Sequence, residues 1–292
     1  MLAGSQRAPF RSRRAFLAII TLLLAGSPLQ AQRPAWLPQG ARVERNVAYG
    51  PSSAQRLDVY RPARASDAPV IIMVHGGGWT RGDKTSHGVV QHKVEHWLPR
   101  GYIVVSVNYR MVPAVNVRTE AEDVARAVSY IQQNAARWGG NGEHVVLMGH
   151  SAGGHLVALV AADSALARRD GVRPWLATIG LDAGAYDVTA IMQVRHLALY
   201  DRAFGSDSAF WRRVSPTLQL DHATAPLLLV CSSRRRDSCA QATAFAARAR
   251  ETGGEASVLP LDKSHAQIDS QLGADSAYTS AVDIFLARAG LH

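Results

Sequence analysis

Gly149-His150-Ser151-Ala152-Gly153 lies between the apolar run Val145-Val146-Leu147-Met148 and the stretch Gly154-His155-Leu156-Val157-Ala158-Leu159-Val160-Ala161-Ala162. This G-x-S-x-G pattern admits few folds. A buried strand must end, the chain must reverse through one residue, and a buried helix must begin. Only small residues can flank so tight a turn, and glycine stands at both ends. Ser151 is then pushed out at the end of its strand with the hydroxyl presented to the surroundings.

The rest of the chain repeats the same alternation. Val70-Ile71-Ile72-Met73-Val74, Tyr102-Ile103-Val104-Val105-Ser106-Val107, Leu176-Ala177-Thr178-Ile179-Gly180-Leu181 and Pro226-Leu227-Leu228-Leu229-Val230-Cys231 are continuous apolar runs. Such runs are expected of strands covered on both faces. Residues 56–62 and 256–261 read as further strands. Helical spacing follows over 86–99, 119–138, 240–251 and 277–286. Strands alternating with helices predict an α/β architecture, a mostly parallel central sheet with helices on both faces. Residues 185–224 read as an irregular, aromatic-rich insertion over the strand ends. One domain spanning 32–292 is the simplest division of the 292 residues.

Residues 1–31 read as a leader. Arg7, Arg11, Arg13 and Arg14 precede the apolar stretch Ala15 to Ala25, which is short against a hydrocarbon core of about 30 Å, and small Ala31 suits cleavage before Gln32. Ser12-Arg13-Arg14-Ala15-Phe16-Leu17 resembles the twin-arginine export signal of bacteria, with an ordinary secretory signal as the other reading. A periplasmic or secreted address is therefore expected, with no stable membrane anchor. Without the leader the chain keeps 28 basic and 23 acidic residues, a mild excess that demands no nucleic-acid partner. An oxidising destination permits a disulfide between Cys231 and Cys239, the chain's two cysteines. Two separate thiols are the alternative.

An exposed serine hydroxyl becomes a nucleophile only with a base, an acid to orient that base, and donors for the oxyanion. His265, just after the last strand, is the expected base; His150 is held in the turn itself and is the weaker candidate. Asp237, in the loop after 226–231, is the expected acid, with Asp182 and Asp262 as rivals. Ser151, Asp237 and His265 then follow one another in the chain order this fold uses. The expected oxyanion donors are the backbone N–H groups of Gly77, Gly78 and Ala152, because consecutive glycines let the backbone approach a substrate closely.

His75-Gly76-Gly77-Gly78-Trp79, Arg81-Gly82-Asp83-Lys84, Ser106-Val107-Asn108-Tyr109-Arg110 and Gly149 to His155 together resemble the α/β-hydrolase esterases. The likeness is greatest to the bacterial branch with feruloyl-esterase-like and arylformamidase-like proteins, and H-G-G-G is shared with hormone-sensitive-lipase-like esterases. It covers roughly residues 40–290. It implies hydrolysis of a small carboxylic ester through an acyl-enzyme, with short-chain or aromatic acyl groups expected and no cofactor or metal. Acetyl or feruloyl esters of plant polysaccharide, an arylformamidase-like amide hydrolase, and a non-catalytic binding protein on the same scaffold are the alternatives. Trp79 is expected to line the substrate site beside the oxyanion loop. Arg234-Arg235-Arg236 departs from the Gly/Asp-rich turn of many relatives and reads as a solvated loop, or else as a receptor for an anionic group. His92-Lys93-Val94-Glu95-His96 matches the zinc-peptidase pattern H-x-x-E-H, a short pattern that also arises by chance.

Overall fold

Val70, Ile72 and Val74 point to one side of a sheet, Ile71 and Met73 to the other, and all five are fully buried. Alternate side chains of a strand face opposite ways, so an unbroken apolar run means cover on both faces. Burial of each such side chain is worth about 1.5–3 kcal/mol. The computed structural model describes residues 1–5 and 34–291. Nearly all of the leader assigned to 1–31 therefore lies outside the described residues.

The strands are β1 (Arg42–Ala48), β2 (Arg56–Arg61), β3 (Ala68–Val74), β4 (Ile103–Val107), β5 (Gly140–His150), β6 (Ala177–Leu181), β7 (Leu227–Ser232) and β8 (Ala256–Leu261). They form one sheet in the order β1-β2-β4-β3-β5-β6-β7-β8. β1 and β2 run antiparallel at one edge, and β4 through β8 are parallel with β3. After β3 the chain adds β4 on one side, then returns to place β5 on the other. Strand order reverses at β3, and such a switch point opens a crevice at the carboxyl ends of the strands. The Gly76–Gly78 loop and Ser151 both emerge there.

The helices are α1 (His87–Trp97), α2 (Val117–Asn134), α3 (Ala152–Ala162), α4 (Ser164–Arg169), α5 (Val188–Met192), α6 (Ala198–Phe204), α7 (Ser208–Arg213), α8 (Pro216–Gln219), α9 (Ser238–Glu251), α10 (His265–Ser270) and α11 (Ser276–Arg288). Residues of α2 and α3 pack on the Val70 face, and those of α1, α10 and α11 on the Ile71 face. α9 joins a further cluster over β7 with Leu227, Leu229 and Phe245. Residues 35–292 pack as one unit.

Two local readings change. The stretch 185–224 is not irregular; it holds α5 to α8, of which α5 and α7 are capped, Asp187 accepting from Ala190 N and Asp207 from Ala209 N. Helices of four to seven residues are too short to show a 3.6-residue period. His265 is not in a loop but begins α10, where Ser264 and Gln267 form a reciprocal capping box.

Candidate active site

Ser151 adopts φ 54° and ψ −119°, a left-handed conformation that costs a non-glycine residue about 1–3 kcal/mol. Its neighbours show why the turn holds. A methyl group on Gly149 would collide with the Gly153 carbonyl, and one on Gly153 with the carbonyl of Val74. On Gly76 it would lie 2.8 Å from Ser151 Cβ. The glycines thus let three backbone segments touch at the strand ends. Ser151 N–H donates to Leu181 O at 2.9 Å, which ties the turn to the end of β6. Ser151 Oγ has no hydrogen bond among the described residues; catalytic bonds of this kind often tighten only with substrate present.

His265 reaches the turn through its neighbour. The rings of His150 and His265 lie 4.5 Å apart, and His150 Nε2 is 3.0 Å from His265 O. Burial pushes the His150 ring down to about 4, with Asp269 opposing the shift. The ring is neutral at neutral pH, so Nε2–H donates to that carbonyl and His150 is a support rather than a base. α1 clamps α10 from below. Buried Lys93 Nζ donates to Asp269 Oδ1 at 2.9 Å, Asp269 O at 2.7 Å and Gly88 O at 2.9 Å.

The structure places Asp182, not Asp237, against His265. Asp182 Oδ2 lies 2.6 Å from His265 Nδ1. A carboxylate only accepts, so Nδ1 carries the proton and the Nε2 lone pair is left free. Asp182 follows β6 directly, is fully buried, and has φ 50°. Oδ1 accepts from Ser232 N at 2.8 Å and from the Ser238 hydroxyl, and Oδ2 also accepts from Arg235 Nη1 at 2.7 Å. Burial alone would raise this carboxyl, but the hydrogen bonds from His265, Ser238, Ser232 and Arg235 outweigh it and hold the group well below the usual carboxylate range.

Asp237 is exposed at the start of α9 and makes no side-chain cap. The expectation for Asp237 is corrected for a physical reason. The loop after β7 bends over Asp182 and delivers donors to it, so its own carboxylate faces outward. That loop is closed by the Cys231–Cys239 disulfide. Three of the four groups holding Asp182 (Ser232 N, Ser238 Oγ and Arg235) lie within the closed segment.

Gly77 and Gly78 have φ 129° and 61°, and a side chain on Gly77 would run into the Arg81 carbonyl. Among the described residues, the N–H groups of Gly77, Gly78 and Ala152 donate no hydrogen bond outside regular structure, so they remain available to a substrate oxygen. His75 stacks on Tyr109 at 4.6 Å, and Tyr109 Oη donates to His75 O at 2.9 Å, which fixes the root of this loop. Trp79 is placed differently from expectation. Its ring is 4% exposed, packs 4.7 Å from Phe204 and 5.5 Å from His155, and donates to His155 Nδ1 at 3.1 Å. An indole beside a glycine turn finds its apolar cover in α6, so it anchors the insertion.

His92 and His96 do not converge. His92 Nδ1 lies 2.5 Å from Ser270 O and His96 Nε2 2.8 Å from Asp283 Oδ2. The H-x-x-E-H pattern ties α1 to α10 through His92 and to α11 through His96. A groove of about 530 Å³ lined by Pro38, Ala41, Pro62 and Leu98 lies at the amino end of β4, away from the crevice.

The BD-FAE family model matches residues 57–237. Esterase LipQ of Mycobacterium tuberculosis is 29% identical over 248 residues, covering 77% of this chain and 57% of its own. Kynurenine formamidase of Salmo salar is 32% identical over 148 residues, 50% of this chain and 47% of its own. The chain spans no more than 57% of the length of these two relatives. Among solved structures, esterase B from Lactobacillus rhamnosis superposes with a TM-score of 0.69 at 21% identity, covering 87% of this chain and 86% of that one. The sheet and its helices therefore share the fold of that esterase.

Proposed function

The chain belongs to the BD-FAE family and has the α/β-hydrolase fold, and from that premise we propose that it is an exported serine carboxylesterase with Ser151, His265 and Asp182 as its catalytic triad. The observation that carries the reading is the 2.6 Å bond from His265 Nδ1–H to a buried, ionised Asp182 beside the Ser151 turn. It leaves Nε2 able to take a proton, which is the one thing the serine lacks.

Ser151 Oγ attacks the ester carbonyl as His265 Nε2 takes its proton. Asp182 faces the resulting imidazolium and stabilises it. The N–H groups of Gly77, Gly78 and Ala152 hold the oxyanion, each such donor being worth about 3–4 kcal/mol at the transition state. The intermediate collapses, His265 gives its proton to the departing alcohol, and an acyl-Ser151 ester remains. Water then attacks that ester with His265 again taking the proton, and His265 returns it to Ser151 Oγ as the C–Oγ bond breaks and the acid leaves.

Short-chain or aromatic acyl esters are the proposed substrates, and the likeness to a kynurenine formamidase supports an amide as the second reading. The export address rests on residues 1–31 and fits the Cys231–Cys239 bond, since disulfides persist in oxidising compartments. Among the described residues no helix is long and apolar enough to cross a membrane. Turnover of p-nitrophenyl butyrate and labelling by a fluorophosphonate test the reading. Both are expected to vanish in Ser151→Ala; turnover at the wild-type rate in that variant would refute it.

A further inference from the structure

Arg235 spends only one of its nitrogens on Asp182. Nη1 donates to Asp182 Oδ2 at 2.7 Å and to Asp182 O at 3.0 Å. It also lies 3.1 Å from His265 Nδ1, two donors side by side on one oxygen. Nη2 turns the other way. A methyl group built on Gly184 would sit 3.2 Å from Arg235 Nη2 and 3.6 Å from Tyr200 Oη. Both groups thus lie beside Gly184 and near each other, two residues after Asp182. Neither has a hydrogen-bond partner among the described residues. The Arg235 side chain is 33% exposed and that of His265 is 39% exposed, so both can be reached from solvent. Tyr200 is fixed there by its ring, 5.9 Å from Trp79 and 6.1 Å from Phe204.

An unpaired guanidinium edge and an unpaired phenol lying beside each other can serve as a receptor for a carboxylate, which accepts hydrogen bonds on each oxygen. We propose that Arg235 Nη2 and Tyr200 Oη form an anion subsite over Gly184, and that the substrates are esters carrying a carboxylate group near the scissile bond. This inference rests on the triad proposed above. It also accounts for the Arg235 position in the chain. One residue both braces the acid and reads the substrate, so anion recognition is built into the same loop that holds Asp182.

The test compares esters that differ only in a carboxylate. On the acyl side the pair is p-nitrophenyl butyrate and the mono-p-nitrophenyl ester of glutaric acid; on the alcohol side it is phenyl acetate and 3-acetoxybenzoate. In the wild type the carboxylate member of at least one pair is expected to have the higher kcat/KM, by roughly 10- to 100-fold, as for a charged hydrogen bond. The ratio within a pair cancels any general damage to the triad. Arg235→Gln is expected to bring the ratio near unity, and Tyr200→Phe, which leaves Asp182 untouched, to cut it by about 5-fold. If Arg235→Gln fails to fold, Tyr200→Phe still decides. The subsite is overturned if neither pair shows a preference in the wild type, or if the preference survives Tyr200→Phe and Arg235→Gln. A flat ratio with an inactive Ser151→Ala sinks the subsite alone; an active Ser151→Ala sinks the triad on which it rests.

Discussion

Asp182→Asn separates the two candidate acids, and the hydrogen bonds around residue 182 dictate how it acts. Oδ1 faces two donors, Ser232 N–H and the Ser238 hydroxyl. Oδ2 faces Arg235 Nη1 as well as His265 Nδ1, but the partly exposed guanidinium can swing away whereas the buried Ser232 N–H cannot, so an asparagine puts its carbonyl oxygen at the Oδ1 position. Its NH₂ group then takes the Oδ2 position, facing His265 Nδ1. An NH₂ donates, so Nδ1 becomes the acceptor and the ring proton moves to Nε2. His265 can no longer take the serine proton, and the imidazolium loses its counter-charge. This wrong-tautomer state costs about 10⁴ in kcat in a comparable triad, or ~5 kcal/mol of barrier. A loss of roughly 10³- to 10⁴-fold is expected, with KM for a neutral ester changed only a few-fold. Asp237→Asn alters an exposed side chain with no cap bond and is expected to keep kcat within about 2-fold. Initial rates with p-nitrophenyl butyrate, on variants whose circular dichroism and thermal melts match the wild type, check both. A wild-type kcat in Asp182→Asn, or a collapse in Asp237→Asn, refutes the assignment.

Three further outcomes follow from the same contacts. Replacing Cys231 and Cys239 with serine frees the loop that carries three of the groups on Asp182. It is expected to lower stability by ~2–3 kcal/mol and to reduce kcat more than KM; a double variant with unchanged kcat shows that the loop holds itself. Gly153→Ala drives a methyl into the Val74 carbonyl and is expected to prevent folding or abolish activity. Gly78→Ala meets no atom within 4 Å and carries only the cost of φ 61°, so a melt close to the wild type is expected; equal destabilisation by the two substitutions contradicts the close-approach argument. Burial pushes buried Glu120 up to about 9, with the hydrogen bond from Val112 N–H opposing it, and Oε2 has no partner. A carboxyl raised on folding costs nothing below its unfolded pKa and progressively more as pH climbs toward the folded one. Glu120→Gln removes that cost, so its advantage in urea unfolding should be near zero at pH 4 and a few kcal/mol at pH 8; a gap independent of pH rejects the reading.

The strands were readable because continuous apolar runs have one physical cause, cover on both faces, and the Ser151 turn because its glycines are imposed by backbone contact. The acid was not. Asp182 and Asp237 both follow a buried strand, and nothing local says which loop bends over which. A usable signal was distance from the strand: Asp182 is the next residue after Leu181, whereas Asp237 lies five residues beyond Ser232. Trp79 misled because its place beside the oxyanion loop is fixed by sequence, while the direction of its ring is fixed by α6, whose short helical period was invisible. The role of His92 to His96 was likewise hidden, since its partners lie on α10 and α11, more than 170 residues away.

The clamp from α1 on to α10 has a consequence for the timing of activity. The oxyanion loop and the serine come from residues 75–152, but the base is delivered by a helix near the carboxyl end and held by contacts such as Lys93–Asp269, 176 residues apart. A chain emerging from the ribosome carries its nucleophile for more than a hundred residues before any base exists to activate it. On the proposed triad, Ser151 stays without its base until the segment that carries His265 has been made.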